Sequence, residues 1–424
     1  MALGQVDYGL NGLIGGLAAF VSFFNGILAN SVSRFYAVSV GVAMKGGNEV
    51  SGLEDCRRWF NVAFSVHTIL PLILVLIGYP LGAWAVRHFL TIPIDRIEDC
   101  IWVWRFTCIM SFMGMVNVPF RAMYDAKQDI AELTIYTFIT TTINACFLYY
   151  MVTHPGEWLA KFSCWTCVIF VVPKLIIMVR AFFKYQECRV VRAYWFDSAK
   201  CMELVKFAFA RFWTELSMLI GPQGTSILVN KFSGPIYNAS MAIGGCVAAH
   251  TVTLSGSLTG AFMPAVGNLY GAGKIEKMRE MCFRTCRIGT LLMLIFAVPV
   301  ALEIDELLLL WLKNPPDFAG VICLAVLFNS IVSRMAEGYP MAIYSKGYKV
   351  MRYSWTVGWS GITGALVVWL CFVLGLGMWS VIVSFVYMAF FTLFVRLLLG
   401  KSLVDFDASY WFKSVCLPVM VLIL

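Results

Sequence analysis

The sequence predicts an all-α polytopic membrane protein made of two six-helix lobes in parallel repeat. Apolar stretches of roughly 20 to 30 residues follow one another from residue 9 to the C-terminus, too many and too long for a soluble core. The chain is 60% hydrophobic and only 13% charged, with a mean hydropathy of +0.79. Soluble domains carry about a quarter charged residues. A short sequence pattern also recurs in the second half of the chain, which supplies the repeat.

The spans follow in order as A 9–44, B 60–86, C 100–121, D 129–152, E 158–182, F 203–230, G 236–266, H 281–302, I 318–343, J 351–374, K 377–398 and a partial L from residue 410. Spans A and G exceed what a bilayer needs and should tilt or project. One set of loop ends is basic. It holds Lys45, Arg57, Arg58, Arg121, Lys127, the run from Arg180 to Lys206, Lys274 to Arg287, Lys346 to Arg352, and Arg396, Lys401 and Lys413. The opposite ends hold only Arg87, Arg96, Lys161, Lys231 and Lys313. The positive-inside rule makes the basic side cytoplasmic. Residue 1 then falls outside without a signal peptide to carry it, so a first helix is expected to be absent.

Tyr8, Ile14, Gly15, Gly16 and Ala19 meet Tyr237, Ile243, Gly244, Gly245 and Ala248 at one constant spacing. Ala122 and Tyr124 meet Ala342 and Tyr344 at a slightly shorter one. Six spans separate the repeat starts, and an even number of crossings returns the chain to the same side. The halves therefore share an orientation, and transporters with such repeats bind substrate between them. The lobes are expected at 1–198 and 199–424, with the basic stretch Arg180 to Lys200 as their boundary.

Several function classes lack support. The net charge of +8 sits beside membrane spans and does not point to nucleic acid. Cys164 and Cys167 spell C-x-x-C, but inside a span, where cysteine serves as a small packing residue. Four scattered histidines leave no metal site to argue, and no catalytic constellation marks an enzyme.

The informative residues are charges inside apolar helices. Arg34, Arg105, Lys174, Arg211 and Arg334 lie in spans, against two clear acids, Glu215 and Glu337. A mid-membrane arginine costs about 2.5–3.5 kcal/mol on insertion scales, so such charges mark function or tight pairing. Arg211 and Glu215 share a face at i,i+4, and Arg334 and Glu337 at i,i+3, so local ion pairs are the plain structural reading. The functional reading has the pairs face a cavity and exchange partners with substrate. Arg34, Arg211 and Arg334 fall in the cytoplasmic halves of their spans and form the expected anion-receiving cluster. Arg105 is a weaker candidate near the outer end of span C, and Lys174 lies near the cytoplasmic end of span E. Arginine suits phosphate through its two parallel donors. Asn30, Asn117, Gln223, His250 and Asn329 add cavity polarity or bond between helices. Gly221-Pro222-Gln223-Gly224 reads as the sharpest helix break and a hinge for alternating access.

Two segments carry a family likeness. Asp7 to Phe35, DYGLNGLIGGLAAFVSFFNGILANSVSRF, resembles the start of bacterial oligosaccharide flippases. These are the Wzx-like, O-antigen branch of the multidrug/oligosaccharidyl-lipid/polysaccharide exporter (MATE/MOP) superfamily. Gln223 to Ala239, QGTSILVNKFSGPIYNA, resembles the segment opening that family's second lobe. The resemblance implies a V-shaped, MATE/MOP-like fold of 12 to 14 helices in the bacterial inner membrane. It also implies a first helix before the DYG segment, and cavity arginines of which Arg34 matches a family position. The implied activity is flipping of polyprenyl-pyrophosphate-linked oligosaccharide for lipopolysaccharide and other cell-surface polysaccharide. A polymerase and a chain-length protein would be its partners. No cofactor is expected beyond a coupling proton or sodium ion, with Glu215 or Glu337 carrying the proton. The rival within the superfamily is a cation-coupled multidrug antiporter, which prefers unpaired intramembrane acids. A membrane glycosyltransferase would want a large catalytic loop, and none is visible.

Overall fold

The computed structural model describes Asp7, Leu10, Asn11, Ile14 and, from Ala19 on, all residues except 45–48, 91, 155, 313 and 424. Among the described residues the chain is almost wholly helical and contains no strand. It divides into two compact units, Met1–Val205 and Lys206–Leu424.

The first unit contains α1 (Ala19–Ala43), α2 (Glu49–Trp84), α3 (Ile97–Val116), α4 (Val118–Ala126), α5 (Ile130–Thr153) and α6 (Leu159–Lys184). Helix α2 begins well before span B does in the sequence reading, and it takes Arg57 and Arg58 out of a loop and into a helix. Tertiary partners explain the extension. Tyr194 donates to Glu54 (2.7 Å), while Ser39 (2.6 Å) and Lys200 (2.5 Å) donate to Asp55.

The basic stretch after α6 folds onto α2. Asn61, fully buried, donates to the Arg189 carbonyl (3.1 Å) and accepts from the Val191 amide (2.6 Å). Ser65 donates to the Trp195 carbonyl (2.7 Å). Lys127, at the end of α4, pairs at 2.6 Å with the buried Glu187. A polar side chain placed under a connector satisfies backbone groups that burial would otherwise strand.

The second unit contains α7 (Ser198–Ser233, from its Lys206 onward), α8 (Pro235–Gly271), α9 (Ile275–Leu302), α10 (Ile304–Leu312), α11 (Ala319–Met335), α12 (Gly338–Lys346), α13 (Val350–Val373), α14 (Trp379–Val404), α15 (Ala408–Trp411) and α16 (Leu417–Ile423). A π-helical turn, Phe412–Cys416, joins the last two.

The repeat is legible in the helix boundaries. Helices α4, α5 and α6 recur as α12, α13 and α14, each of the same length and displaced by 220 residues (118 to 338, 130 to 350, 159 to 379). Both copies carry a break just before the short helix. Pro119 and Pro340 explain it, because each lacks an amide donor and crowds the carbonyl four residues back. Between α11 and α12 the chain bends by 47°.

The expected break at Gly221-Pro222-Gln223-Gly224 is a correction: α7 runs through Pro222 as one helix. Gly221 serves packing instead. A Cβ placed there would come within 2.9 Å of the Gly361 Cα, and one at Gly361 would meet the Ser217 carbonyl. The two glycines let α7 and α13 cross with their backbones almost touching.

Among the described residues seven helices are long and apolar enough to cross a membrane, or up to nine if each bent pair is one span. The sequence reading has eleven and a partial twelfth. Helices α1 and α7, which carry Arg34 and Arg211, lie outside the nine although they run for 25 and 36 residues. The chain is a multi-pass membrane protein.

Candidate functional site

Two ion pairs in the second unit involve the acids read as intramembrane, Glu215 and Glu337. Arg211 on α7 donates to Glu215 at 2.9 Å, as the i,i+4 spacing dictates. Its guanidinium also lies 4.5 Å over the Tyr344 ring of α12, a cation–π contact. Tyr344 in turn meets Tyr353 of α13 edge-on at 5.7 Å.

The second pair differs from expectation. Glu337 does not pair with Arg334, because α11 ends at Met335 and the bend destroys their common face. It bonds instead to Arg396 of α14 at 3.1 Å. Arg396 is only 7% exposed, so a residue assigned by charge counting to a cytoplasmic loop is an interior cation. It also donates to the Ser333 carbonyl (2.6 Å), and Tyr353 stands beside it.

These contacts repair the helix break. Where α11 stops, the Ser333 carbonyl keeps only a 3.3 Å bond from the Ala336 amide and the Met335 carbonyl loses its regular helical donor. Arg396 caps the first, and Trp411 donates its indole N–H to the second (2.8 Å). The Gly338 amide, at the start of α12, donates to the Cys286 sulfur (3.1 Å). Irregular backbone at membrane depth persists only with such substitutes.

Arg334 points elsewhere. It donates to Thr259 of α8 at 2.9 Å, and its stem packs on Gly289 of α9. Among the described residues no carboxylate lies within ion-pairing distance of this half-buried arginine. Arg211 and Arg334 thus have separate partners.

The other candidates fall in the first unit or stay peripheral. The Arg34 guanidinium lies 4.7 Å from the Phe35 ring centroid and has a further partner in its surroundings. Asn30 is in α1, but its side chain lies outside the described residues. Arg105 donates to the Tyr79 hydroxyl (3.1 Å) and stacks 4.5 Å over Trp102, so it is fixed against α2. Asn117, at the α3–α4 break, donates to the Lys174 carbonyl of α6 (3.0 Å). Gln223 and His250 are exposed on their helices, and Asn329 is half-buried.

Asn117 and Glu337 occupy the same repeat position, 220 residues apart (117 to 337). Both reach from the break to the same partner helix, α6 in one unit and α14 in the other. The first tie is neutral and the second ionic. Arg396 is the functional candidate that sequence reasoning missed. Its signal was its place within span K, two residues from the end.

No group of three or more His, Cys, Asp or Glu that could hold a metal ion occurs among the described residues.

Comparison with known proteins locates the fold. Residues 214–349 match the MatE family model. No curated protein matches the chain. Among solved structures, a MATE protein in complex with MaL6 is 17% identical, covering 97% of this chain and 92% of its own, with a TM-score of 0.72. A MOP superfamily transporter from Pyrococcus furiosus Vc1, described by a binding pocket of reverse polarity, is 16% identical at a TM-score of 0.73, covering 97% and 91%. The Vibrio cholerae MATE transporter VcmN in its bent form is 12% identical at 0.67, with the same coverage. The chain is therefore a multi-pass membrane protein with the fold of MATE/MOP transporters, and residues 214–349 are similar to the MatE family model.

Proposed function

We propose that this protein translocates a polyprenyl-pyrophosphate-linked oligosaccharide across a bacterial inner membrane by alternating access. The observation that carries the reading is the charge balance of the second unit. Both acids read as intramembrane, Glu215 and Glu337, are already paired to arginines at 2.9 and 3.1 Å, whereas Arg334 has a hydroxyl and, among the described residues, no carboxylate. A site that captures cationic drugs needs a free carboxylate. A site with surplus guanidinium takes an anion, and the planar fork of arginine suits pyrophosphate. A transporter of similar fold from Pyrococcus furiosus is described by a binding pocket of reverse polarity, which is in keeping with this reading.

Arg211 and Arg334 of the second unit are the residues assigned to the pyrophosphate on the cytoplasmic side, with Arg34 a separate candidate within the first unit. The sugar crosses in water while the polyprenyl tail remains in lipid. A proton or sodium gradient drives the return, with Glu215 or Glu337 taking the proton. A polymerase and a chain-length protein use the product. In proteoliposomes, Arg211→Gln or Arg334→Gln lowers translocation of a pyrophosphate-linked sugar at least tenfold at equal protein level. Unchanged translocation removes them from the site. Efflux of a cationic dye without movement of sugar-lipid would assign the protein to multidrug antiport.

A further inference from the structure

The first unit holds a cavity of about 380 Å³ between α5, α6 and the α3–α4 break, within the range that small ligands occupy. Arg121 and Lys174 line it, and no carboxylate does. Asp125, one turn along α4 from Arg121, feels its charge but does not reach the cavity. The two cations repel each other across the space.

Helix α5 faces this cavity with a polar stripe. Tyr136, Thr137, Thr140, Thr141 and Asn144 follow one another at helical spacing, on a helix that is otherwise apolar and widely exposed. Across from them, the Thr166 hydroxyl on α6 is buried without a hydrogen-bond partner. Asn117 supports the site from below by holding the Lys174 carbonyl at 3.0 Å. Lys174 sits ten residues from the end of α6 (174 to 184), about 15 Å along the helix.

The repeat shows that the fold does not require this polarity. At the matching positions of the second unit stand Met341, Phe394 and Gly364 in place of Arg121, Lys174 and Asn144 (121 to 341, 174 to 394, 144 to 364). No charge stands at these three positions, although the Glu337–Arg396 pair lies on the same helices, with Glu337 at the position of Asn117. Arg121 is exposed, and the Lys174 ammonium donates to the Phe170 carbonyl (3.3 Å) and lies over the Phe170 ring. Both cations are thus held at a cavity rich in hydroxyls and amides with no carboxylate in its lining, which favours an anion there. We propose that this cavity binds the phosphate ester group of a membrane lipid, with Arg121 and Lys174 on the phosphate and the polar stripe of α5 on its substituents. The site lies wholly in the first unit, apart from Arg211 and Arg334, and it does not depend on the translocation proposed above.

The test uses the full chain in phosphatidylcholine nanodiscs, titrated with undecaprenyl phosphate and read by native mass spectrometry. Arg121→Gln/Lys174→Gln weakens one binding event at least tenfold. Retention equal to that of the unaltered protein overturns the site. Loss on Arg211→Gln/Arg334→Gln alone, with none on Arg121→Gln/Lys174→Gln, overturns it too while supporting the transport site. Should the double variant fail to assemble, Asn144→Asp places a carboxylate in the cavity. The same loss then supports the site, and full retention overturns it. Inorganic pyrophosphate in the buffer separates the sources. Displacement shows that the phosphate group alone is held, and resistance shows that the lipid tail contributes; both support an anion site.

Discussion

At the scale of single residues, the Glu337–Arg396 pair is the most consequential contact in the second unit. Arg396 is buried, and its second bond caps the Ser333 carbonyl at the helix break. Removing one partner of a buried pair leaves an uncompensated charge, at a cost of about 3 kcal/mol or more. Glu337→Gln should therefore lower the thermal unfolding midpoint in detergent clearly. Replacing both, as Glu337→Leu/Arg396→Met, removes the stranded charge and should be less damaging than Arg396's loss of Glu337 alone. A double variant as unstable as the single one would show that the Ser333 cap, and not the pair, dominates. Arg211 offers a contrast. Its pair with Glu215 is local, part-exposed and backed by Tyr344, so Glu215→Gln should cost well under half as much.

At the scale of helices, close approach and connectors set the predictions. Gly361 has no room for a Cβ against the Ser217 backbone, so Gly361→Ala should push α7 from α13 and destabilise by about 1–3 kcal/mol, read as a fall in melting temperature. The connector after α6 is clasped by Asn61. Beneath it, burial first, then the neighbouring Cys56 and Glu187, push the Cys188 thiol well above its usual range. The thiolate is the reactive form, so Cys188 should resist N-ethylmaleimide at pH 8 in the folded protein. Asn61→Leu withdraws two bonds from the connector and should expose Cys188 to alkylation, seen by peptide mass spectrometry. Equal protection in both proteins would mean that the connector is held by other contacts.

Most of this level was legible in the sequence. Spans D, E and J lie within two residues of their helices because a long apolar run has clear ends. The Ala122–Tyr124 and Ala342–Tyr344 match announced a displacement that three successive helices keep. What was hidden depends on contacts between elements. Arg396 near a span end looks like a loop charge until its partner on the α11–α12 break is known. Arg334 and Glu337 look like neighbours until the helix between them stops. The glycines flanking Pro222 look like a hinge until Gly361 is seen opposite Gly221.

At the scale of the whole molecule, the account rests on excess positive charge in a MATE/MOP fold. The acids that would serve a cationic cargo are occupied by arginines, and the first unit holds a cavity lined by two cations and no carboxylate. A transporter so charged should show strong dependence on its guanidiniums for anionic lipid cargo and none for cationic dyes. The most direct test places the protein in proteoliposomes and follows a polyprenyl-pyrophosphate-linked sugar and a cationic dye in parallel, with and without Arg211→Gln/Arg334→Gln. The account predicts sugar-lipid movement that falls at least tenfold in the double variant, with no dye transport in either. Dye transport that persists or rises when the arginines are neutralised, without sugar-lipid movement in the unaltered protein, would contradict it.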